Sequence, residues 1–88
     1  MRVDVTLHRL CLTRSRNEAK VACESGAVLV EGKPAKASQL LAPGQAVTLR
    51  YPRRLLEFRL LELPQKSTSK QLARTMYEIV RDERLAEG

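Results

Sequence analysis

Apolar residues recur with helical spacing at the start of the chain. Val3, Leu7 and Leu10 are four and three positions apart, which predicts a short helix over 3–11. Ser15 and Glu18 are three positions apart, the spacing of a capping box, and this predicts the start of a second helix. That helix should end at Gly26, because glycine readily adopts the left-handed turn that closes a helix.

The pattern then changes to one typical of β-strands. Residues 28–30 are apolar and mostly β-branched, and turn sequences follow at 31–34 and 43–44. Residues 46–51 and 56–60 both alternate between apolar and polar positions, and a Pro-Arg-Arg turn joins them. The two segments are therefore predicted to form a hairpin. The alternation also predicts that Tyr51 and Phe58 belong to the core, with a role as base-stacking platforms as the alternative.

The end of the chain returns to a helical pattern. Leu72, Met76, Ile79 and Val80 repeat at intervals of four, three and one, which predicts an amphipathic helix over 70–85. We expect its apolar stripe to pack back on the domain, with docking of a partner as the alternative. The predicted fold class is α+β: two N-terminal helices packed on a small twisted, mostly antiparallel sheet, with a C-terminal helix. Residues 1–64 should form the main unit, and 65–88 a helical extension of the same domain.

Charge is unevenly distributed along this 88-residue, single-domain chain. Residues 1–54 hold ten basic and four acidic side chains and so carry the whole net charge of +6, whereas residues 55–88 hold six of each. A localised basic excess is typical of proteins that bind a polyanion. We expect no membrane partner, because neither a basic amphipathic helix nor a lipidation signal is recognisable.

Catalytic and metal-binding patterns are missing from the sequence. Cys11 and Cys23 are twelve positions apart and His8 is the single histidine, so no metal site is expected. The cysteines should be free thiols in a reducing cytoplasm, with one disulfide as the alternative. No glycine-rich phosphate loop or cofactor motif is present, and we expect neither a cofactor nor an enzymatic activity.

The basic side chains give the clearest indication of function. Arg16 and Lys20 are four positions apart and share one face of the second helix, and Arg14 lies in the turn before it. Lys20 has an alternative role as a partner of Glu24, and Lys33 as an ordinary solvated turn residue. Because Arg16 opposes the helix dipole, Arg16→Ala is expected to change stability by no more than about 0.5 kcal/mol. The predicted RNA contacts are Arg2, Arg9, Arg14, Arg16, Lys20, Lys33 and Lys36.

Several of these segments resemble motifs of the S4 RNA-binding domain family. The resemblance covers about residues 1–50 and includes Arg2-Val3-Asp4 with Leu7, the basic turn 14–19, and the segments 26–32, 33–38 and 43–45. Glu31, Gln45 and Val5 depart from the residues usual in the family. The resemblance implies an RNA-binding protein with its basic residues on two helices beside a small sheet.

The length and the tail around Met76-Tyr77 resemble a narrower group, the stand-alone S4 proteins of bacterial ribosome-associated quality control (the RqcP type and the related small ribosome-associated heat-shock protein). This resemblance implies a protein that binds rRNA and tRNA on stalled large ribosomal subunits carrying peptidyl-tRNA. It would assist a factor that adds C-terminal alanine tails, with Arg2 and Arg16 at RNA-contacting positions. We expect a monomer. Two alternatives remain, an adaptor that uses the 70–85 helix and a general rRNA or tRNA binder.

Overall fold

The structure, a computed structural model, describes residues 1–84. Two helices come first, and a five-stranded antiparallel sheet follows, interrupted by a third, short helix. Along the sheet the strands lie in the order β2-β1-β3-β4-β5. The elements are α1 (Val3–Arg9), α2 (Arg16–Glu24), β1 (Val28–Val30), β2 (Lys33–Pro34), β3 (Ala46–Tyr51), β4 (Arg54–Leu60), α3 (Lys70–Ala73) and β5 (Tyr77–Arg84).

The two N-terminal helices begin and end close to where the sequence predicts. The Ser15 hydroxyl accepts a hydrogen bond from the Glu18 backbone N–H at 3.0 Å, which confirms the predicted cap of α2. After α2, Gly26 adopts a φ of +80°, the left-handed conformation expected of a helix-ending glycine. Val3 and Leu7 of α1 are fully buried, so the apolar stripe of α1 faces the core.

The central hairpin is also confirmed. Strands β3 and β4 pair antiparallel from Ala46 opposite Arg59 to Tyr51 opposite Arg54. Alternate residues of both strands are buried and join side chains of α1 and α2 in a single core cluster. The helices therefore pack on the sheet and expose their remaining faces, where the predicted contacts Arg9, Arg16 and Lys20 lie. Phe58 is fully buried, but Tyr51 is 36% exposed, so its assignment to the core was wrong.

The predicted helix over 70–85 is wrong. Helix α3 ends at Ala73, and Tyr77–Arg84 form strand β5 along the free edge of β4. Of the predicted apolar stripe only Met76 is buried, whereas Leu72, Ile79 and Val80 are 51%, 48% and 54% exposed. The last position of the predicted helix, and the end of the predicted 65–88 extension, lie outside the described residues.

The physical reason is that spacing alone did not distinguish helix from strand here. Tyr, Ile and Val favour strands, and the free edge of β4 offers the segment a complete ladder of backbone partners. Phe58 pairs with Ile79 and Glu57 with Arg81, so Val80 is the extra residue of a β-bulge. The bulge interrupts the strict alternation by which a strand is recognised from sequence, and the first two positions of the predicted stripe, Leu72 and Met76, lie outside β5.

The first turn of α1 is anchored by the segment before β3. The backbone N–H of Val3 donates to the Gln39 carbonyl at 2.8 Å, and that of Asp4 donates to the Ala37 carbonyl at 3.2 Å. Two N–H groups that a helix start leaves unpaired are thus satisfied by another part of the chain. This anchoring fixes Arg2 and Asp4 in place beside α2. Along residues 1–84 no helix is long and apolar enough to span a bilayer.

Candidate nucleic-acid interface

A buried carboxylate joins the two helices at the predicted RNA-binding surface. Asp4 is only 1% exposed, and its Oδ1 and Oδ2 atoms accept hydrogen bonds from Nε and Nη2 of Arg2, each at 3.1 Å. Oδ2 also accepts from Nε of Arg16 at 3.3 Å, and Oδ1 accepts from the Val5 backbone N–H at 2.8 Å. One carboxylate from α1 therefore holds two guanidinium groups side by side.

The hydrogen bonds decide the ionisation state of Asp4. Burial raises the pKa of this carboxyl, but the hydrogen bonds from Arg2, the Val5 N–H and Arg16 outweigh burial, so its pKa lies below the usual value of 3.8. Asp4 is thus a carboxylate at neutral pH. The side chains of Arg2 and Arg16 remain 42% and 55% exposed, so each keeps donors that face solvent. Fixing one side of a guanidinium fork orients the other side for an incoming anion.

An open depression surrounds this ion-pair cluster. We call it the Asp4 depression; it has a volume of about 420 Å³ and is lined by Arg2, Asp4, Arg16, Asn17 and Lys20. Arg16 and Lys20 are one helical turn apart on α2, as the spacing predicts. Lys20 has no ion-pair partner among residues 1–84, so its predicted alternative role as a partner of Glu24 is not observed. The site therefore presents three cations against one buried carboxylate.

A second depression adjoins the first at Arg16. We call it the Arg9 depression; its basic lining side chains are Arg9, Arg16 and Lys66, with His8 and Thr68 beside them. Arg9 is half-buried at the end of α1, and Lys66 is exposed in the loop before α3. His8 is exposed.

The remaining predicted contacts lie elsewhere. Arg14 is exposed in the turn between α1 and α2, and Lys36 is exposed next to the segment that anchors α1. Lys33 is exposed on β2, which forms the opposite edge of the sheet from β5. The structure brings Arg2, Arg9, Arg16 and Lys20 together around the two depressions, and it lines neither depression with Arg14, Lys33 or Lys36.

Sequence reasoning missed two side chains of this surface. Asp4 was named only as part of the Arg2-Val3-Asp4 motif and was given no role at the surface, although an acidic residue two positions from Arg2 was the available signal. Lys66 was missed because the net charge of residues 55–88 is zero. The prediction that Arg16→Ala changes stability by no more than about 0.5 kcal/mol did not take into account the hydrogen bond from Arg16 Nε to the buried Asp4 carboxylate.

Two departures from the usual S4 residues have local structural roles. Glu31 has a φ of 52°, in the left-handed region that Asn tolerates better, and its Oε1 accepts a hydrogen bond from the Ala46 backbone N–H at 3.0 Å. Gln45 Oε1 accepts from the Ala42 N–H at 2.9 Å across the Pro43-Gly44 turn. Gln45 satisfies a backbone group within its own turn, whereas Glu31 satisfies the backbone N–H at the start of β3.

The two cysteines differ in environment. Both are free; Cys11 is exposed and Cys23 is buried. Burial, together with the charges of Asp4 and Glu24, raises the pKa of the Cys23 thiol. Within residues 1–84, no group of three or more His, Cys, Asp or Glu side chains is arranged to hold a metal ion.

Comparison with known proteins gives a consistent family assignment. The model of the S4 domain matches residues 1–47. The RQC P-site tRNA stabilizing factor of Bacillus subtilis is 34% identical over 99% of this chain and 100% of its own length. The factor of the same name from Streptococcus pneumoniae is 34% identical over 100% and 99% of the two chains.

A solved structure supports the same fold. The chain superposes on Vibrio cholerae Heat Shock Protein 15, described as a trimeric structure, with a TM-score of 0.85 and 22% identity, covering 91% of this chain and 81% of that one. At that identity the likeness establishes the fold alone. Together with the full-length relatives, it leads to one conclusion: the chain belongs to the S4 domain family and, along its length, to the family of RQC P-site tRNA stabilizing factors.

Proposed function

We propose that this protein binds rRNA and tRNA on large ribosomal subunits that still carry peptidyl-tRNA after a stall. The observation that carries the proposal is the Asp4 depression, where a buried carboxylate orients Arg2 and Arg16 beside Lys20. Oriented guanidinium forks bind phosphate oxygens in a bidentate manner, which suits the backbone of structured RNA. The name of the full-length relatives, which refers to stabilization of a P-site tRNA, supports the same function.

The contacts of this interface are assigned by charge and exposure. Arg2, Arg16 and Lys20 are the central contacts, and Arg9 extends them along α1. Arg14, Lys33 and Lys36 are exposed cations outside the two depressions, and we assign them peripheral phosphate contacts. Phosphate contacts position a protein on RNA without reading its sequence. The role is therefore to hold an RNA arrangement in place, and it needs neither a catalytic group nor a cofactor.

The finer parts of the proposal concern partners and domain limits. By family resemblance, the bound protein assists a factor that adds C-terminal alanine tails. Separately, we propose that it acts as a monomer. We assign the RNA-binding unit to residues 1–64 and treat 65–88 as an extension of the same domain. Pairing of β5 with β4, and the burial of Met76 in the shared core, support one domain over two.

Gradient fractionation tests this proposal. Tagged protein from bacteria with stalled translation should sediment with large subunits that contain tRNA. Arg16→Ala, produced at the normal level, should move to the top of the gradient. As a matched control, Arg59→Ala removes an exposed cation of β4 that lines neither depression and should sediment normally. Failure of the unmodified protein to sediment with large subunits would contradict the proposal.

An adaptor role is the second candidate. The observation that favours it is the exposure of Ile79 and Val80 on β5, the edge strand of the sheet. Exposed edge strands can pair with a segment of another protein. If Ile79→Ser with Val80→Ser removes the protein from large subunits while Arg16→Ala leaves it bound, the adaptor role is correct.

A further inference from the structure

We propose that the RNA-binding surface continues from the Arg9 depression along three cations of the C-terminal segment, Lys66, Lys70 and Arg74, which follow the phosphates of the same bound RNA. We call these three residues the C-terminal track. The inference rests on the proposed function. It extends the interface into a part of the chain that carries no net charge and that sequence reasoning therefore set aside.

The charge balance of the C-terminal half hides the track. Residues 64–76 contain three basic and no acidic residues, and all three cations are exposed. The acidic residues that balance them lie mainly on β5, where Asp82 pairs with Arg54 at 2.9 Å and Glu83 pairs with Arg81 at 2.8 Å. Among the residues that the structure describes, none of the three cations forms an ion pair. Their charge is therefore available to an external anion.

Geometry connects the track to the first interface. Arg16 lines both the Asp4 depression and the Arg9 depression, and Lys66 lies in the second of these. A third depression adjoins the Arg9 depression at Cys11, and its lining includes Tyr51, Lys70 and Arg74. The three depressions are thus connected through shared lining residues. Each contains at least one cation without a carboxylate partner among residues 1–84, namely Lys20 in the first, Arg9 and Lys66 in the second, and Lys70 and Arg74 in the third. A sugar-phosphate backbone, which carries a charge at every nucleotide, matches such a row.

The test compares two variants that remove the same charge. The track variant carries Lys66→Ala, Lys70→Ala and Arg74→Ala, and the control carries Arg59→Ala, Arg81→Ala and Arg84→Ala at exposed positions of β4 and β5. Both are titrated against purified bacterial large ribosomal subunits carrying a P-site tRNA, at salt concentrations between about 50 and 200 mM. Circular dichroism melting checks that each variant is folded. The single exchange Lys66→Ala, in an exposed turn, provides a second track variant.

The salt dependence of binding distinguishes direct phosphate contacts of the track from a general effect of the net positive charge of the protein. Each phosphate contact contributes about 0.7–0.9 to the slope of log affinity against log salt, so the track variant should lose about 2–3 of that slope. The ratio between the affinity of the unmodified protein and that of the track variant should therefore fall by about 20- to 40-fold between about 50 and 200 mM salt. The control should keep the slope of the unmodified protein, and Lys66→Ala should lose about 0.7–0.9.

Each other outcome has a definite meaning. Equal weakening of the track variant and the control would show a long-range charge effect and overturn the track. Full binding by the track variant and by Lys66→Ala, with weak binding by Arg16→Ala, would overturn the track and leave the proposed function intact. Full binding by the track variant and by Arg16→Ala would overturn both.

Discussion

Replacing Asp4 with asparagine tests the organisation of the interface. The asparagine side chain would keep the shape of the aspartate but would lack its charge and one of its two acceptor oxygens. Oδ2 of Asp4 accepts from both Arg2 and Arg16, so these are the hydrogen bonds that the exchange breaks. The bonds to Oδ1 would remain but would lose their charge assistance.

The expected cost follows from these contacts. A hydrogen bond to a charged group contributes about 1.5–3 kcal/mol and a neutral one about 0.5–1.5 kcal/mol. Arg2 and Arg16 are 42% and 55% exposed, so water replaces part of what they lose. We therefore expect Asp4→Asn to lower the free energy of unfolding by about 1–3 kcal/mol at pH 7, less than the loss of a fully buried pair. RNA affinity should fall as well, because the guanidinium groups are no longer held side by side.

Urea unfolding at several pH values measures this effect. The pKa of Asp4 is lowered in the folded protein, so its stabilisation is complete above the usual value of 3.8 and is lost as the pH falls through the folded-state pKa. The difference between the unmodified protein and Asp4→Asn should therefore vanish in strong acid. Asp82→Asn is the control, since Asp82 forms an exposed pair with Arg54 and should contribute little. Equal stability of Asp4→Asn and the unmodified protein at pH 7 would refute the reasoning, as would a difference that persists in acid.

Two further predictions concern the core and the thiols. Met76→Ala should lower the free energy of unfolding by about 2–5 kcal/mol, because Met76 is buried. The control Leu72→Ala, at an exposed position, should lower it by about 0.5 kcal/mol or less. Equal losses for the two variants in urea unfolding would contradict the packing of the C-terminal segment. A thiol reagent should modify Cys11 rapidly and Cys23 only on unfolding, because Cys23 is buried and its thiol pKa is raised. Mass spectrometry of peptides identifies the modified cysteine, and rapid modification of both cysteines in the folded protein would contradict the described core.

The parts of the fold that the sequence predicted are those with local signals. Each of these signals depends on residues that are close together in sequence. They are the cap at Ser15, the helix end at Gly26 and the alternation within β3 and within β4. The C-terminal segment lacked such a signal, because its strand forms only beside the free edge of β4. In addition, the bulge at Val80 interrupts the apolar–polar alternation of the strand.

The candidate site shows the same division. The shared face of Arg16 and Lys20 follows from helical spacing, so the sequence could predict it. The contact of Asp4 with Arg16 joins residues twelve positions apart and forms only when α1 packs against α2. The approach of Lys66 to Arg9 and Arg16 likewise depends on how the loop before α3 lies across α1. The spacing of residues along the sequence does not predict such long-range contacts.

The central claim is tested most directly by measuring the affinity of the protein for purified large ribosomal subunits that carry a P-site tRNA. The affinity is measured across a range of salt concentrations, for the unmodified protein and for Arg16→Ala. With roughly 4–6 phosphate contacts, log affinity should fall against log salt with a slope of about −3 to −5. Arg16→Ala should bind about 10- to 100-fold more weakly, and Arg16→Lys should recover only part of this loss, because an ammonium lacks the fork of a guanidinium. An affinity independent of salt, or full affinity of a folded Arg16→Ala variant, would contradict the account.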